Sequence, residues 1–380
     1  MEIKNLEKAA KRILEAIKEK EKILLYGDSD LDGVCSVIIL KEAIRNLGGK
    51  VEAIYFPDRE TEGYGISEKG LNSLSKFAPA LLVSLDCGIS NFKEIEKAKS
   101  LGFFVIVIDH HEVLDEIPKA DIVVDPKQKD DEYPFKELAT VGIVFKLAEK
   151  LLREKMTNSL RKSFLELVAL ATLADMMPQV NENKILTEEG LEYLKNSWRP
   201  AFQVFSKIFD LPKEITKVIS ILNVRDVENN FPSSYRLLTE PNFQIAGELI
   251  ERLIEKSKER KKEVEKILGM IEENIQKDEE IIFEGGKNWS FSAISIVASQ
   301  LCQKYQKPTF IYKMFEKESQ GTVRVPPGMD SVKLMKKCKH LLIAFGGHPA
   351  ASGFRIKNEN LEKFKECLIK SLHEKDNNLC

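Results

Sequence analysis

The sequence predicts an α/β protein: a parallel sheet with helices on both faces, a long connecting helix, and a smaller second α/β domain. Three observations carry this expectation. Short runs that are apolar throughout alternate with helix-spaced segments in the first half, as strands buried on both faces do. The chain has 380 residues, more than one ordinary core holds. One uninterrupted helical stripe, 243–276, separates two strand-bearing parts.

Ile3, Leu6, Ala9, Ala10, Ile13, Leu14 and Ile17 recur at helical spacing and give an opening amphipathic helix. Residues 1–20 are too charged for a signal peptide. An apolar run at 23–26 ends in Gly27 and a group of acids, so a strand runs into a polar loop. Residues 34–47 read as a helix, 51–56 (VEAIYF) and 80–85 (ALLVSL) as strands, and 91–100 as a helix. Strands are expected at 103–108 (FFVIVI) and 121–124. An apolar helix over 164–174 runs into Asp175, and Pro178 closes it.

Pro200, Pro212, Pro232 and Pro241 punctuate a stretch of short helices and loops that leaves the first domain. In the long helix that follows, Ala246, Leu249, Leu253, Val264, Ile267, Leu268, Ile271 and Ile275 keep the stripe. Its charged part, 256–262, reads as a solvated face. Strands are then expected at 280–283, 291–294, 309–312 and 341–344, with helices at 296–305 and 360–372. The expected division is a first domain over 1–195, a helical connector over 196–278 and a second domain over 279–380.

Composition narrows the function classes. Apolar residues are 43% of the chain and the formal net charge is −2, so no global basic signature points to nucleic acid. A near-neutral total still leaves room for a local basic groove. The six cysteines, at 35, 87, 302, 338, 367 and 380, form no C-x-x-C pair, which argues against a zinc knuckle or a thioredoxin-like site. They read as free thiols in a reducing, cytoplasmic setting. No run of about 18 apolar residues exists, so no membrane span is expected.

The acids carry the chemistry. Asp28, Asp86 and Asp109 each follow a predicted buried strand within two residues. In parallel sheets ligands bind beyond the carboxyl ends of the strands. Gly27-Asp28-Ser29-Asp30-Leu31-Asp32-Gly33 places three acids at alternating positions. Close carboxylates repel unless cations or hydrogen bonds compensate; the bland alternative is an acidic turn with helix caps. An EF-hand is rejected, because position 12 counted from Asp28 is Ile39 and a strand precedes the motif.

Asp109-His110-His111 holds two of only five histidines, at the same expected edge. Asp175 lies among small apolar residues, where a charge is expensive to bury unless paired or bound to metal. Mixed carboxylate and imidazole donors fit manganese, magnesium or zinc, and an oxygen-rich set favours the first two. Five or six such ligands can hold two ions, with Asp86 as the bridge.

In these residues the chain resembles the DHH phosphoesterase superfamily, and specifically its RecJ-like branch. The resemblance rests on the motif at 27–33, Pro57-Asp58-Arg59 with Gly63-Tyr64-Gly65, and Leu85-Asp86-Cys87-Gly88-Ile89-Ser90. Asp109-His110-His111, Val141-Gly142 and Leu173-Ala174-Asp175-Met176-Met177-Pro178 follow in order. The second domain resembles the DHHA1 domain through Ile296-Val297-Ala298-Ser299, Gly321-Thr322-Val323-Arg324 and the run from Gly346-Gly347-His348 to Phe354.

The resemblance implies roles. Asp30, Asp32, Asp86, His110 and Asp175 would hold two divalent ions, manganese first and magnesium second, with Asp28 in or beside the shell. Asp109 would orient a histidine, and His111 would contact the scissile phosphate. Arg324 and the Gly346-Gly347-His348 loop would hold the terminal nucleotide of the substrate, and Arg59 would also reach a phosphate. Glycines let backbone N–H groups approach phosphate closely.

Two departures stand out. The chain is short for the OB-fold and further C-terminal domain of bacterial RecJ, and residues 221–226 (ILNVRD) lack an asparagine–glycine–arginine stretch. This compact core is similar to archaeal RecJ-like proteins, some of which associate with the GINS replication complex. The implied activity is an exonuclease on single-stranded nucleic acid, with DNA and 5′→3′ polarity favoured, releasing 5′-mononucleotides. The alternatives are a phosphodiesterase for short oligonucleotides, cyclic dinucleotides or 3′-phosphoadenosine 5′-phosphate, and a silent scaffold in a replication complex.

Overall fold

Five short runs become the strands β1 (Ile23–Gly27), β2 (Val51–Tyr55), β3 (Ala80–Leu85), β4 (Phe103–Ile108) and β5 (Ile122–Val124). They pair in parallel in the order β2-β1-β3-β4-β5. Because side chains alternate along a strand, one run feeds two cores. Ile23 and Leu25 of β1 enter one apolar cluster, and Leu24 and Tyr26 enter another. That is why these strands are apolar throughout. The computed structural model of the protein describes residues 2–59, 61–113, 116–275 and 279–373. The chain divides into two compact units, Met1–Ile254 and Glu255–Cys380.

One face of the first sheet is covered by α1 (Leu6–Lys18) and α2 (Leu31–Asn46), and the other by α3 (Glu68–Leu74) and α4 (Phe92–Ser100). The helices α5 (Thr140–Leu152), α6 (Asn158–Ala174) and α7 (Asn181–Tyr193) complete the first layer. Helix α2 is buried on nearly every side, with Val34, Val37, Ile38, Ile39 and Leu40 all inaccessible. Each such side chain contributes about 1.5–3 kcal/mol by leaving water. The start of α2 is therefore fixed in place, and with it the acids that begin it.

The stretch expected as a connector is divided. Helices α8 (Pro200–Ile208), α9 (Ile215–Leu222) and α10 (Ser233–Thr239), with the small hairpin β6 (Val227–Glu228) and β7 (Phe231–Pro232), lie in the first unit. Phe202, Phe205, Val218 and Leu237 join its core, which their proline-punctuated sequence hides. The helix α11 (Phe243–Glu272) carries the unit boundary after Ile254. Gln276, the expected end of that helix, lies outside the described residues.

The second unit holds β8 (Ile282–Gly286), α12 (Phe291–Tyr305), β9 (Thr309–Met314), β10 (Glu318–Arg324) and α13 (Ser331–Lys337). They are followed by β11 (Leu342–His348), β12 (Ala351–Lys357) and α14 (Leu361–His373). The sheet runs β11-β12-β10-β9-β8; β8 pairs with β9 in parallel and the rest are antiparallel.

Three expectations are corrected here. Residues 291–294 begin α12 instead of forming a strand: Ser290 caps the helix by accepting from the Ala293 amide, and Ala293, Ile294, Val297 and Leu301 bury at helical spacing. The Gly346-Gly347-His348 segment is no loop but the end of β11, paired with Gly353, Ser352 and Ala351. Cys338 and Cys367 form a disulfide between the end of α13 and α14, so the six cysteines are not all free. Cys35, Cys87 and Cys302 are free and buried, and Cys380 lies outside the described residues. Among the described residues no helix is long and apolar enough to cross a membrane.

Candidate functional site

The acids sit where buried strands stop. Past β1, Asp30 caps α2: its carboxylate accepts from the amides of Asp32 and Gly33, both at 3.1 Å. Gly33 is required by space, since a Cβ there would lie 2.4 Å from the Asp28 carbonyl oxygen. The first turn of α2 thus closes over Asp28, and its positive end faces the acids. The guanidinium of Arg59 donates to both Asp28 oxygens, at 2.9 and 2.6 Å, and to Asp30 Oδ2 at 2.7 Å.

Asp32 is 1% exposed. Its oxygens accept from the amides of Thr140 and Val141 at the start of α5, both at 2.8 Å. Asp86 follows β3 in a left-handed backbone conformation, φ +62°, which asparagine and aspartate tolerate best after glycine. Its Oδ1 accepts from the Thr140 hydroxyl at 3.1 Å. Asp109 follows β4 and accepts from the amides of Ile89 and His110 at 3.0 and 2.8 Å. Its Oδ1 lies 2.7 Å from His111 Nδ1, so it fixes the second histidine of the pair.

His110 points its Nε2 at three carboxylates: Asp86 at 3.4 Å, Asp175 at 3.5 Å and Asp32 at 3.6 Å. Asp175 closes α6 and brings the helix end to the sheet edge. Candidate donor atoms gather as Asp32, His110 and Asp175, as Asp28, Asp30 and Asp86, and as Asp86, Asp109 and His111, each set within 4.8 Å. The structure therefore brings all eight predicted first-domain residues of this cluster to one edge.

The electrostatics follow from this crowding. Burial, then the charges of Asp175 and Asp30, push the Asp32 carboxyl well above its ordinary value. Burial, then the charges of Asp32, Asp30 and Asp28, do the same to Asp86. Burial and the Asp30 charge raise Asp175 to about 7. Asp30 moves the other way: burial opposes ionisation, but the Arg59 charge and the Gly33 amide overrule it. Asp109 is also lowered, because the His111 charge outweighs burial. His111 in turn rises to about 9, burial being overcome by the Asp109 charge.

Carboxylates that cannot comfortably ionise together fit divalent cations. Asp175 Oδ2 is buried with no hydrogen-bond partner among the described residues, as suits a ligand atom. The donor set, rich in oxygen with one imidazole, fits divalent metal ions.

Of the second-domain residues, Arg324 ends β10. Its guanidinium donates to Ser299 Oγ at 3.1 Å and to Thr322 Oγ1 at 2.8 Å. Gly347 has φ +133° and lies so close to β12 that a Cβ would meet Ser352 Cα at 2.7 Å. Both features belong to the second unit and are described by themselves.

Sequence reasoning missed two contributors. The amides of Thr140 and Val141 have no side-chain signature, although they open an apolar helix. Glu62 accepts from Ser67 Oγ at 2.5 Å, Tyr55 Oη at 2.8 Å and the Asp58 amide at 3.1 Å. It thereby ties down the loop that carries Arg59. An acid inside Pro57–Ser67 that precedes Gly63-Tyr64-Gly65 was the available hint.

The description "DHH family, N-terminal domain" matches residues 22–172, and "DHHA1 domain" matches 278–374. The chain belongs to the DHH phosphoesterase superfamily and carries a DHHA1 domain. The single-stranded-DNA-specific exonuclease RecJ of Bacillus subtilis is 34% identical over 97% of this chain, and that of Thermus thermophilus 27% over 96%. Within the superfamily, the chain falls in the RecJ-like branch.

This chain spans 48% of the Bacillus relative and 54% of the Thermus one. A solved exonuclease RecJ bound to manganese superposes with TM-score 0.80 at 24% identity, over 99% of this chain and 96% of that one. The Thermus thermophilus RecJ in complex with Mn2+ superposes with TM-score 0.85 at 23% identity, over 99% of this chain and 56% of the other. These two likenesses establish the fold.

Proposed function

We propose that the chain is a metal-dependent exonuclease that hydrolyses single-stranded nucleic acid from an end, DNA and 5′→3′ favoured, releasing 5′-mononucleotides. It would use two divalent ions, manganese ahead of magnesium, and act in the cytoplasm. The observation that carries the reading is the pair of donor sets, Asp32–His110–Asp175 and Asp28–Asp30–Asp86, at one sheet edge. Two sets support two ions. The names of the curated relatives support the substrate class.

Divalent ions, when bound, lower the pKa of a water and neutralise phosphoryl oxygens. The chain's own residues do the rest. Asp30, Asp32, Asp86, His110 and Asp175 would hold the ions, with Asp28 in or beside the shell and paired to Arg59. Asp109 keeps His111 oriented and protonated near neutral pH. His111 would then bring its charged ring to an oxygen of the scissile phosphate. Arg324 and Gly346, Gly347 and His348 grip the terminal nucleotide. In this division 1–195 would hold the metals and 279–380 the strand end, while 196–278 supplies helices α8 to α10 to the first unit and then α11. A GINS-type replication partner belongs to the same proposal, and co-elution of the two from a sizing column would support it.

The test is degradation of 5′- and 3′-labelled single strands of DNA and RNA, from dimers to long strands, with manganese. Asp86→Ala serves as the control. Mononucleotides released from long strands, and absent with the control, support the exonuclease. Cleavage confined to dimers and short oligomers replaces it with the short-substrate phosphodiesterase, and no cleavage replaces it with the scaffold.

A further inference from the structure

Charge is distributed unevenly in the second unit. Residues 331–341 (SVKLMKKCKHL) hold Lys333, Lys336, Lys337, Lys339 and His340 and no acid. Helix α14, packed against α13, adds Lys363, Lys365 and Lys370 against Glu362 and Glu366. These two segments carry seven lysines and two acids, while the whole chain is at −2. Asp330 meets Lys333 at 3.6 Å and Glu279 meets Lys365 at 3.3 Å; the excess of lysine over acid that remains favours an anionic ligand.

Between the two helices lies a cavity of about 330 Å³, lined by Lys337, His340, Lys363, Glu366, Cys367 and Lys370 among others. A volume of this order takes a nucleotide-sized group. The Cys338–Cys367 disulfide joins the two helices here, so the lysines stand on a fixed floor. Lys337 Nζ donates to the Ser371 carbonyl at 3.4 Å, which leans it toward α14.

The cavity has a definite place relative to the strand-end residues of the same unit. His340 and Leu341 immediately precede β11 (Leu342–His348). Gly346, Gly347 and His348 finish that strand. Seven residues of β-strand span about 23 Å, so the basic cavity lies at one end of β11 and the strand-end residues at the other.

We propose that this cavity is a second binding site for the phosphate backbone of a single-stranded nucleic acid, engaging the part of the strand that trails the gripped end. The inference rests on the exonuclease reading. It adds that affinity depends on length: dimers are too short to reach the cavity, and longer strands bind at both places.

The experiment measures binding of 5′-phosphorylated DNA of 2 to 20 nucleotides to the full chain in EDTA. The wild type is compared with the triple variant Lys337→Gln, Lys363→Gln, Lys370→Gln. Each lysine that neutralises a phosphate contributes about −0.7 to the slope of log K against log salt. Three of them make the 20-mer lose about 20-fold more affinity in the wild type than in the variant between 50 and 200 mM salt. The expected result is a loss in the variant that grows with strand length and a slope shallower by about 2.

Equal slopes, or a loss that is the same for dimers and 20-mers, overturn the proposal. So does wild-type binding of polyglutamate as tight as that of the 20-mer at equal salt, which would make the cavity a site for acidic protein. The parent reading fails separately, when the wild type with manganese releases no mononucleotides from a 20-mer.

Discussion

Asp86→Asn separates the cost of the acidic cluster from its use. Asparagine keeps the shape, tolerates the left-handed backbone at φ +62° and still accepts from the Thr140 hydroxyl. It removes one charge from a site whose donor atoms lie within 4.8 Å of Asp28 and Asp30. At an effective dielectric of about 20, each such pair repels by about 3 kcal/mol. The cluster sheds part of this by binding protons, as the raised Asp86 carboxyl records.

A carboxyl raised in the folded state stabilises the fold least at high pH, where the unfolded chain ionises freely. Removing it therefore stabilises the metal-free protein at pH 7.5, by no more than the about 3 kcal/mol of one such repulsion. Thermal unfolding in EDTA should rise by a few degrees. In manganese the order reverses: the wild type gains about 3 kcal/mol at a hundredfold excess over its Kd, and the variant gains little. A variant that melts below the wild type in EDTA, or that gains as much from manganese, would refute the reasoning.

Other outcomes follow from the same structure. Gly33→Ala places a methyl 2.4 Å from the Asp28 carbonyl oxygen; the shift of Asp30 and Asp32 should lower the rate of mononucleotide release by about 100-fold, read in the labelled-strand assay. Arg199, 2% exposed, holds both Glu42 oxygens at 3.0 and 3.1 Å. Arg199→Met leaves that acid unpaired and should cost about 3–5 kcal/mol in urea unfolding, much of it recovered by adding Glu42→Gln. Burial raises Glu166 from 4.5 to about 7, against the opposing hydrogen bond from Ser197. Its contribution to stability is full below pH 4.5 and is lost as pH rises through 7. Glu166→Gln should remove about 3 kcal/mol of that decline, giving a flatter curve of stability against pH than the wild type.

How much of this was legible depends on what each feature leaves in the sequence. Asp28, Asp86 and Asp109 could be placed because apolar runs end just before them, and a parallel sheet gathers such ends. Residues 291–294 were misread because a short run with three apolar residues, Phe291, Ala293 and Ile294, fits a strand and the start of a buried helix equally. Here the Ser290 cap decides. The strands Glu318–Arg324 and Ala351–Lys357 escaped because glycine, serine and glutamine break their apolar pattern. The Cys338–Cys367 bond joins residues 29 apart through helix packing, which spacing alone does not encode. The predicted metal-binding side chains were visible as residue types. Their supports, two main-chain amides and Glu62, were not.

Those amides have a consequence for heredity. Asp32 is held by N–H groups of the main chain at Thr140 and Val141, and every amino acid except proline supplies one. A codon change that the buried packing at these two places accepts therefore leaves both donors to Asp32 in place, while a proline codon at either deletes one of them. The hold on Asp32 is in this way indifferent to side-chain chemistry at its two donors, whereas the hold on Asp86 is written in one side chain, the Thr140 hydroxyl.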